Sequence, residues 1–385
     1  MNDLDTVLRN ALDARVADVT HDPDAYAEIL RRRARRRRTR WARPIGAVAA
    51  TAAVLGIVAV VVRAPDRDPV VPAGSVPRHV VAVRHVPADA FEVAVVRADD
   101  LAGRPVARMS APADRATLRA VAAVGDDRTF YAAWSSIDEC RGRLYRLSAP
   151  SGDSTPVLDV AGDVTGLAVS PDGRRIAYSM WADGPGESIC GGTHEVHVRD
   201  LASGQERVWA TPSGALRIYS IVGLAWSPDG RYVAFGYGDQ EVHRIDTTTA
   251  PVALPSLPPD PLVTNVDENG VPAAGTTCLT ATPAYLPTGE LVAAYRCVDN
   301  RTQATGPTRL VVLDPVTRRP GRTLLTYPAG TQPQWLALDP TGAHALLGVA
   351  TPSADGDAAQ VYRWDAGTAP RRVLDGDAAR WPIDW

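Results

Sequence analysis

The sequence predicts an all-β domain, a six-bladed β-propeller, preceded by a single transmembrane helix and a short helical cytoplasmic tail. Three observations carry that expectation. Residues 44–62 contain no charged side chain. Nine arginines lie between Arg31 and Arg43, immediately before that run, whereas only Arg63 and Arg67 follow it closely. Further on, Gly166-Leu-Ala-Val-Ser-Pro-Asp-Gly-Arg-Arg-Ile-Ala-Tyr178 is matched by Gly223-Leu-Ala-Trp-Ser-Pro-Asp-Gly-Arg-Tyr-Val-Ala-Phe235, a strand, a tight turn and a second strand in each case.

The 385 residues are 45% hydrophobic, which excludes a mainly disordered chain and provides for a buried core. All 41 basic residues are arginine, and the net charge of -3 is unevenly spread: residues 1–43 carry +4, so the remainder carries -7. The two parts are suited to different surroundings. Within the first part, Leu4, Val7, Leu8, Leu12, Val16 and Val19 recur at helical steps behind Asp3, a capping residue. A second helix starts at Asp22, with Pro23 in its first turn, and carries Tyr26, Ile29 and Leu30. A tail of this length is too small to bury a core of its own, so its apolar stripe needs a partner groove or a lipid surface.

The 19 residues from Pro44 to Val62, at about 1.5 Å rise each, span roughly 28 Å, close to the hydrocarbon thickness of a bilayer. Trp41 stands where an interfacial aromatic belongs, and the arginine asymmetry places residues 1–43 in the cytoplasm and everything beyond Arg63 outside it. A cleaved signal peptide would have a short leading region, whereas 43 residues precede this run. The arginines themselves are assigned to orientation and to contact with anionic lipid, not to nucleic acid. A Pro-rich linker occupies residues 63–77 and the propeller residues 78–385.

Weaker copies of the hairpin centre on Asp339-Pro-Thr-Gly342, Leu286-Pro-Thr-Gly289 and Asp126-Asp127. The turn residues are Ser170, Pro171, Asp172 and Gly173, their counterparts Ser227, Pro228, Asp229 and Gly230, and Pro287, Gly289, Pro340 and Gly342. Proline presets the backbone of such a turn and glycine supplies its left-handed residue. A second alternating strand follows each copy, at Leu144 to Ser148, Glu195 to Asp200, Glu241 to Asp246, Leu310 to Asp314 and Val361 to Asp365, so each repeat has two hairpins and makes a four-stranded blade. Glycines 173, 230, 289 and 342 are 57, 59 and 53 residues apart, a spacing that suits blades carrying loop insertions.

On these Ser-Pro-Asp-Gly turns the region from Arg78 to Trp385 resembles the TolB-like, WD-repeat-like β-propellers, and the lysine-free composition is of the kind found in high-GC, actinobacterial genomes. The segment from Arg380 through Trp381 to Trp385 reads as an innermost strand, with Ile383 and Trp385 standing where Leu224 and Trp226 stand. The segments near His79 to Arg84, Phe91 to Arg97 and Val106 to Met109 supply three strands without an inner one. Both regions therefore share one blade, which closes the ring and removes its free edges.

All four cysteines, Cys140, Cys190, Cys278 and Cys297, lie beyond the uncharged run, as in an oxidised domain. The blade frame places Cys278 and Cys297 equidistant from the turn at Pro287 to Gly289, facing each other across a strand pair. It places Cys140 and Cys190 in the second-to-third-strand loops of adjacent blades. Two disulfides are the expectation and free buried thiols the alternative; no two cysteines have the Cys-x2-Cys spacing of a zinc site. These loops, and the long connection from Pro255 to Thr277, emerge on one face, and the ligand surface is expected there and around the channel mouth.

No Gly-x-Ser-x-Gly elbow occurs, and His194-Glu-Val-His197 is not the zinc motif; His197 and His243 read as repeat-equivalent strand positions. The sequence nominates no catalytic residue, cofactor or metal ligand. The expected function is a membrane-anchored, non-enzymatic binding, scaffold or sensor protein for an unidentified protein or glycan ligand. One alternative is a transmembrane anti-sigma-like regulator whose residues 3–30 bind a sigma factor, although the tail lacks the His-x3-Cys-x2-Cys pattern of zinc-containing anti-sigma domains. The other is a propeller hydrolase or lactonase with a metal in its channel.

Overall fold

The computed structural model describes residues 77–385 apart from loop segments, the longest of which are 183–189, 212–220, 255–275, 352–357 and 377–381. The expected tail and transmembrane helix, and the linker up to residue 76, lie outside the described residues, as does Trp381. Among the described residues no helix is long and apolar enough to cross a membrane.

Among the described residues, twenty-three strands form six antiparallel sheets. The first blade contains β1 (His79–Val86), β2 (Ala90–Arg97) and β3 (Ala107–Ser110). The second contains β4 (Thr117–Ala123), β5 (Thr129–Ser136), β6 (Arg141–Ser148) and β7 (Ser154–Val160). The third contains β8 (Gly162–Val169), β9 (Arg175–Ala182), β10 (His194–Asp200) and β11 (Glu206–Ala210). In the fourth, β12 (Ile221–Trp226), β13 (Tyr232–Tyr237) and β14 (Glu241–Asp246) are described. The fifth contains β15 (Thr276–Tyr285), β16 (Leu291–Asp299), β17 (Arg309–Leu313) and β18 (Pro320–Thr326). The sixth contains β19 (Gln332–Leu338), β20 (His344–Thr351), β21 (Ala358–Asp365) and β22 (Arg371–Asp375), and β23 (Ile383–Asp384) returns to the first blade.

The innermost strands touch in the order β23, β4, β8, β12, β15, β19 and back to β23, which closes a six-membered ring. An apolar cluster fills each junction between adjacent blades; Val164, Ile176 and Tyr178 of the third blade, for example, pack on Tyr131, Ala133 and Leu144 of the second. Being covered on both faces explains why second strands read as continuous apolar runs: β5 is buried at seven consecutive positions. The outermost β7 and β22 have only partial cover and are mostly polar and exposed, which is why they carry little sequence signal.

The turn residues act as the spacing predicts. Gly173 and Gly230 have φ of 67° and 68°, a region open to glycine at no steric cost. Ser170 Oγ donates to Asp172 at 2.6 Å and accepts from the Arg175 backbone amide at 2.9 Å; Ser227 does the same with Asp229 and Tyr232 at 2.5 and 2.8 Å. In the sixth blade Asp339 takes the serine's place, its carboxylate accepting from the His344 amide at 3.0 Å. In the degenerate second-blade copy Asp127 occupies the glycine position at φ 64°, a conformation that Asp tolerates better than most residues, and accepts from the His79 amide of the first blade at 2.8 Å.

Ring closure takes the expected form. β23 pairs antiparallel with β1, Val81 opposite Asp384 and Ala82 opposite Ile383. Trp385 and Trp226 are equivalent in detail: each indole donates at 3.3 Å to a carbonyl of the preceding blade's innermost strand, Ala337 and Ala168 respectively. Arg363 lies over the Trp385 ring at 5.9 Å and Arg175 over Trp226 at 4.8 Å, so a cation–π contact repeats with the indole.

Candidate functional site

Antiparallel blades divide the connections between two faces. Second-to-third-strand loops and blade-to-blade connections share one face, and the tight turns share the other. On the loop face a disulfide joins Cys140, between β5 and β6, to Cys190, between β9 and β10, with their Cα atoms 5.1 Å apart. It fastens the second blade to the third, the pairing that the blade frame predicts. Cys297 is also disulfide-bonded and stands directly opposite Cys278 in the β15–β16 ladder. Non-reducing peptide mapping of the protein is expected to recover the linkages 140–190 and 278–297; a 140–297 linkage would contradict the blade assignment. Most of the insertion length on this face lies outside the described residues.

The innermost strands share a feature that the sequence pattern does not announce. Five innermost strands have a register irregularity in the same part of the strand, between Leu118 and Ala120, Val164 and Gly166, Val222 and Leu224, Ala281 and Ala284, and Pro333 and Trp335. A bulge adds a residue and redirects its side chain. Arg119, released in this way from β4, makes a bidentate pair with Asp163 of β8, both contacts at 3.0 Å. Thr165, at the next bulge, contacts Ser179 Oγ at 2.9 Å and His194 Nε2 at 3.1 Å.

The histidines serve the blades. His194 is buried, stacks on Trp181 at 4.1 Å and accepts at Nδ1 from the Ile221 amide at 3.1 Å, which ties the third blade to the fourth. His197 and His243 are repeat equivalents: each contacts the glutamate two residues before it at 2.9 Å, Glu195 and Glu241 respectively. Burial works against an imidazolium at His197, but its bonds to Glu195 and Glu206 outweigh that cost and hold its pKa above the ordinary value. Among the described residues no group of three or more His, Cys, Asp or Glu side chains is placed to hold a metal ion.

A cleft opens on the turn face, between the fourth and fifth blades, with a volume of about 490 Å³. A second lobe of about 270 Å³ continues it toward the Ser227–Gly230 turn, and both lobes share Arg244, Tyr285, Thr288 and Gly289. Leu291, Val312 and Leu313 supply apolar surface. The Arg244 side chain extends from the exposed side of β14 and lies over the Tyr232 ring at 4.9 Å. Tyr285 ends β15; burial, the largest influence on it, pushes its phenol pKa well above the ordinary range. Pro287 and Gly289 line this cleft, and so do Ser227, Pro228 and Asp229, so turn residues predicted for their backbone geometry also shape a cavity. Arg244 and Tyr285 carried no functional signal in the sequence, where each is one position of an alternating strand.

Fold and sites together define a disulfide-bonded, six-bladed β-propeller with a cleft on the turn face. No family model matches the sequence, and no curated protein matches it significantly. Among solved structures, the chain is similar to TolB from Acinetobacter baumannii at 14% identity and a TM-score of 0.48, over 80% of this chain and 66% of that one. It is similar to a TolB candidate from Agrobacterium tumefaciens at 16% identity and a TM-score of 0.46, over 78% of this chain and 90% of that one. It is also similar to a periplasmic gluconolactonase from Pseudomonas aeruginosa at 13% identity and a TM-score of 0.44, over 79% and 98% of the two chains. The propeller assignment rests on the sheet order and the closed ring.

Proposed function

We propose that this protein is a membrane-anchored, extracytoplasmic binding or sensor propeller, held by residues 44–62 with residues 1–43 in the cytoplasm. The observation that carries the reading is the distribution of cysteine. All four cysteines lie beyond the uncharged run, none of them is free, and one disulfide staples two blades together. Structural disulfides persist in oxidising compartments, on the side of the membrane to which the nine arginines assign the propeller. A closed, cross-linked ring is a rigid platform, and loops on a rigid platform can present a surface to a protein or glycan in the envelope. A reporter enzyme fused after Trp385 tests the topology: activity only outside the cytoplasm is expected, and cytoplasmic activity would refute the anchor orientation and the compartment argument together.

A second reading is favoured by the Leu4, Val7, Leu8, Leu12, Val16 and Val19 stripe. Such a face needs a cover, and in a transmembrane regulator a sigma factor would provide it. Recovery of a sigma factor by the full chain, lost when that stripe is scrambled, would make the propeller the sensor for a cytoplasmic response. Recovery by both versions would assign the tail to anchoring.

A further inference from the structure

In the cleft between the fourth and fifth blades, the fold uses every acidic group and leaves one cation and one phenol over. Asp229 accepts from Ser227 Oγ at 2.5 Å and from the Arg231 amide at 2.9 Å. Glu290 accepts from Thr288 Oγ1 at 2.8 Å and pairs with Arg322 at 3.6 Å. Asp314 accepts from the Thr317 amide at 3.1 Å. Arg244 has no carboxylate within ion-pair distance among the described residues; its guanidinium is held over Tyr232, whose other cationic neighbour, Arg231, is taken by Asp246 at 2.7 Å. The Tyr285 hydroxyl is enclosed and has no hydrogen-bond partner among the described residues. A guanidinium fixed on an aromatic face presents its donor fork in a defined orientation.

We propose that this cleft binds a ligand carrying a carboxylate on a small apolar or aromatic body, the carboxylate pairing with Arg244. A single guanidinium matches a monoanionic carboxylate in its two-pronged geometry. A phosphate dianion calls for more positive charge than a site also lined by Asp229, Glu290 and Asp314 provides. Leu291, Val312 and Leu313 receive the apolar body, and the volume of about 490 Å³ falls within the range of small-ligand sites. The carboxylate can come from a free small acid or from the C-terminus of a peptide. This inference concerns the turn face and does not depend on the membrane orientation.

The test is calorimetric titration of the full chain in detergent with N-acetylphenylalanine, its amide, benzoate and inorganic phosphate. Saturable binding of N-acetylphenylalanine is expected, with the amide about tenfold weaker or worse. The variant R244Q is expected to lose that preference while keeping the wild-type unfolding midpoint, because the guanidinium is exposed; Y285F, which changes only an enclosed hydroxyl, is expected to bind the acid as the wild type does. Benzoate binding as tightly as N-acetylphenylalanine supports a free acid, and clearly weaker benzoate supports a peptide terminus. Equal affinity for acid and amide, phosphate binding as tightly as the acids, an R244Q protein with undiminished preference, or no saturable binding of either acid would each overturn the proposal.

Discussion

Replacing Trp385 with Ala is expected to destabilise the propeller by about 4 kcal/mol, the scale of emptying a buried tryptophan site. The indole is 3% exposed and belongs to the cluster that joins the first blade to the sixth, with Ile383, Val80, Val96 and Trp335. Its loss removes that packing and strands the Ala337 carbonyl that the indole nitrogen reaches at 3.3 Å. The seam is otherwise thin, since β23 pairs with β1 at only two residue pairs. Loosening it exposes the hydrogen-bonding edge of β1, so aggregation on heating is expected to rise along with the loss of stability. Denaturant unfolding of the full chain measures the effect. W385F, which retains most of the volume and loses the hydrogen bond, is expected to fall between the two; a W385A protein within 1 kcal/mol of wild type would show that closure at this seam contributes little.

Asp384, on the same short strand, is expected to make the propeller lose about 2–3 kcal/mol as pH rises from 4 to 7, and D384N is expected to remove that loss. Burial pushes this carboxyl up to about 6, against hydrogen bonds from the Ala123 and Trp385 backbone amides that favour its charged form. Between the unfolded value of 3.8 and the folded value of about 6 the native state holds a proton that the unfolded chain has released. Stability from this group is therefore full below pH 3.8 and declines as pH climbs through about 6. The asparagine carbonyl can still accept from Ala123, which reaches the carboxyl at 2.9 Å, and an amide has no charge to desolvate. Comparing wild type with D384N by urea unfolding at pH 4.5 and 7.5 isolates this group from Glu206, whose bond to His197 lowers its pKa and gives the opposite slope. Parallel pH profiles for the two proteins would contradict the assignment.

The architecture was legible because its signals are local and repeated. Ser170 to Gly173 and Ser227 to Gly230 announce a turn by composition, and the alternating runs beside them announce strands, so blade order followed from counting. The Cys140–Cys190 pairing followed from that frame, because two loops at the same position in successive blades must be neighbours. The first and second blades were fainter because Asp127 stands in for glycine and β3 is only four residues long.

By itself, then, the sequence determined the six-bladed all-β fold, the sharing of one blade by β1, β2, β3 and β23, and the cysteine geometry, because short-range turn chemistry and strand alternation encode each of these. Only the tertiary structure decided that the turn face carries a cleft between the fourth and fifth blades. Arg244 and Tyr285 come from different blades, and neither one's neighbours in sequence reveal that, among the described residues, the first has no acidic partner and the second's hydroxyl no hydrogen-bond partner. The inner-strand bulges that bring Arg119 to Asp163 are equally invisible along the chain, because a bulge is a register between two strands and exists only once both are paired.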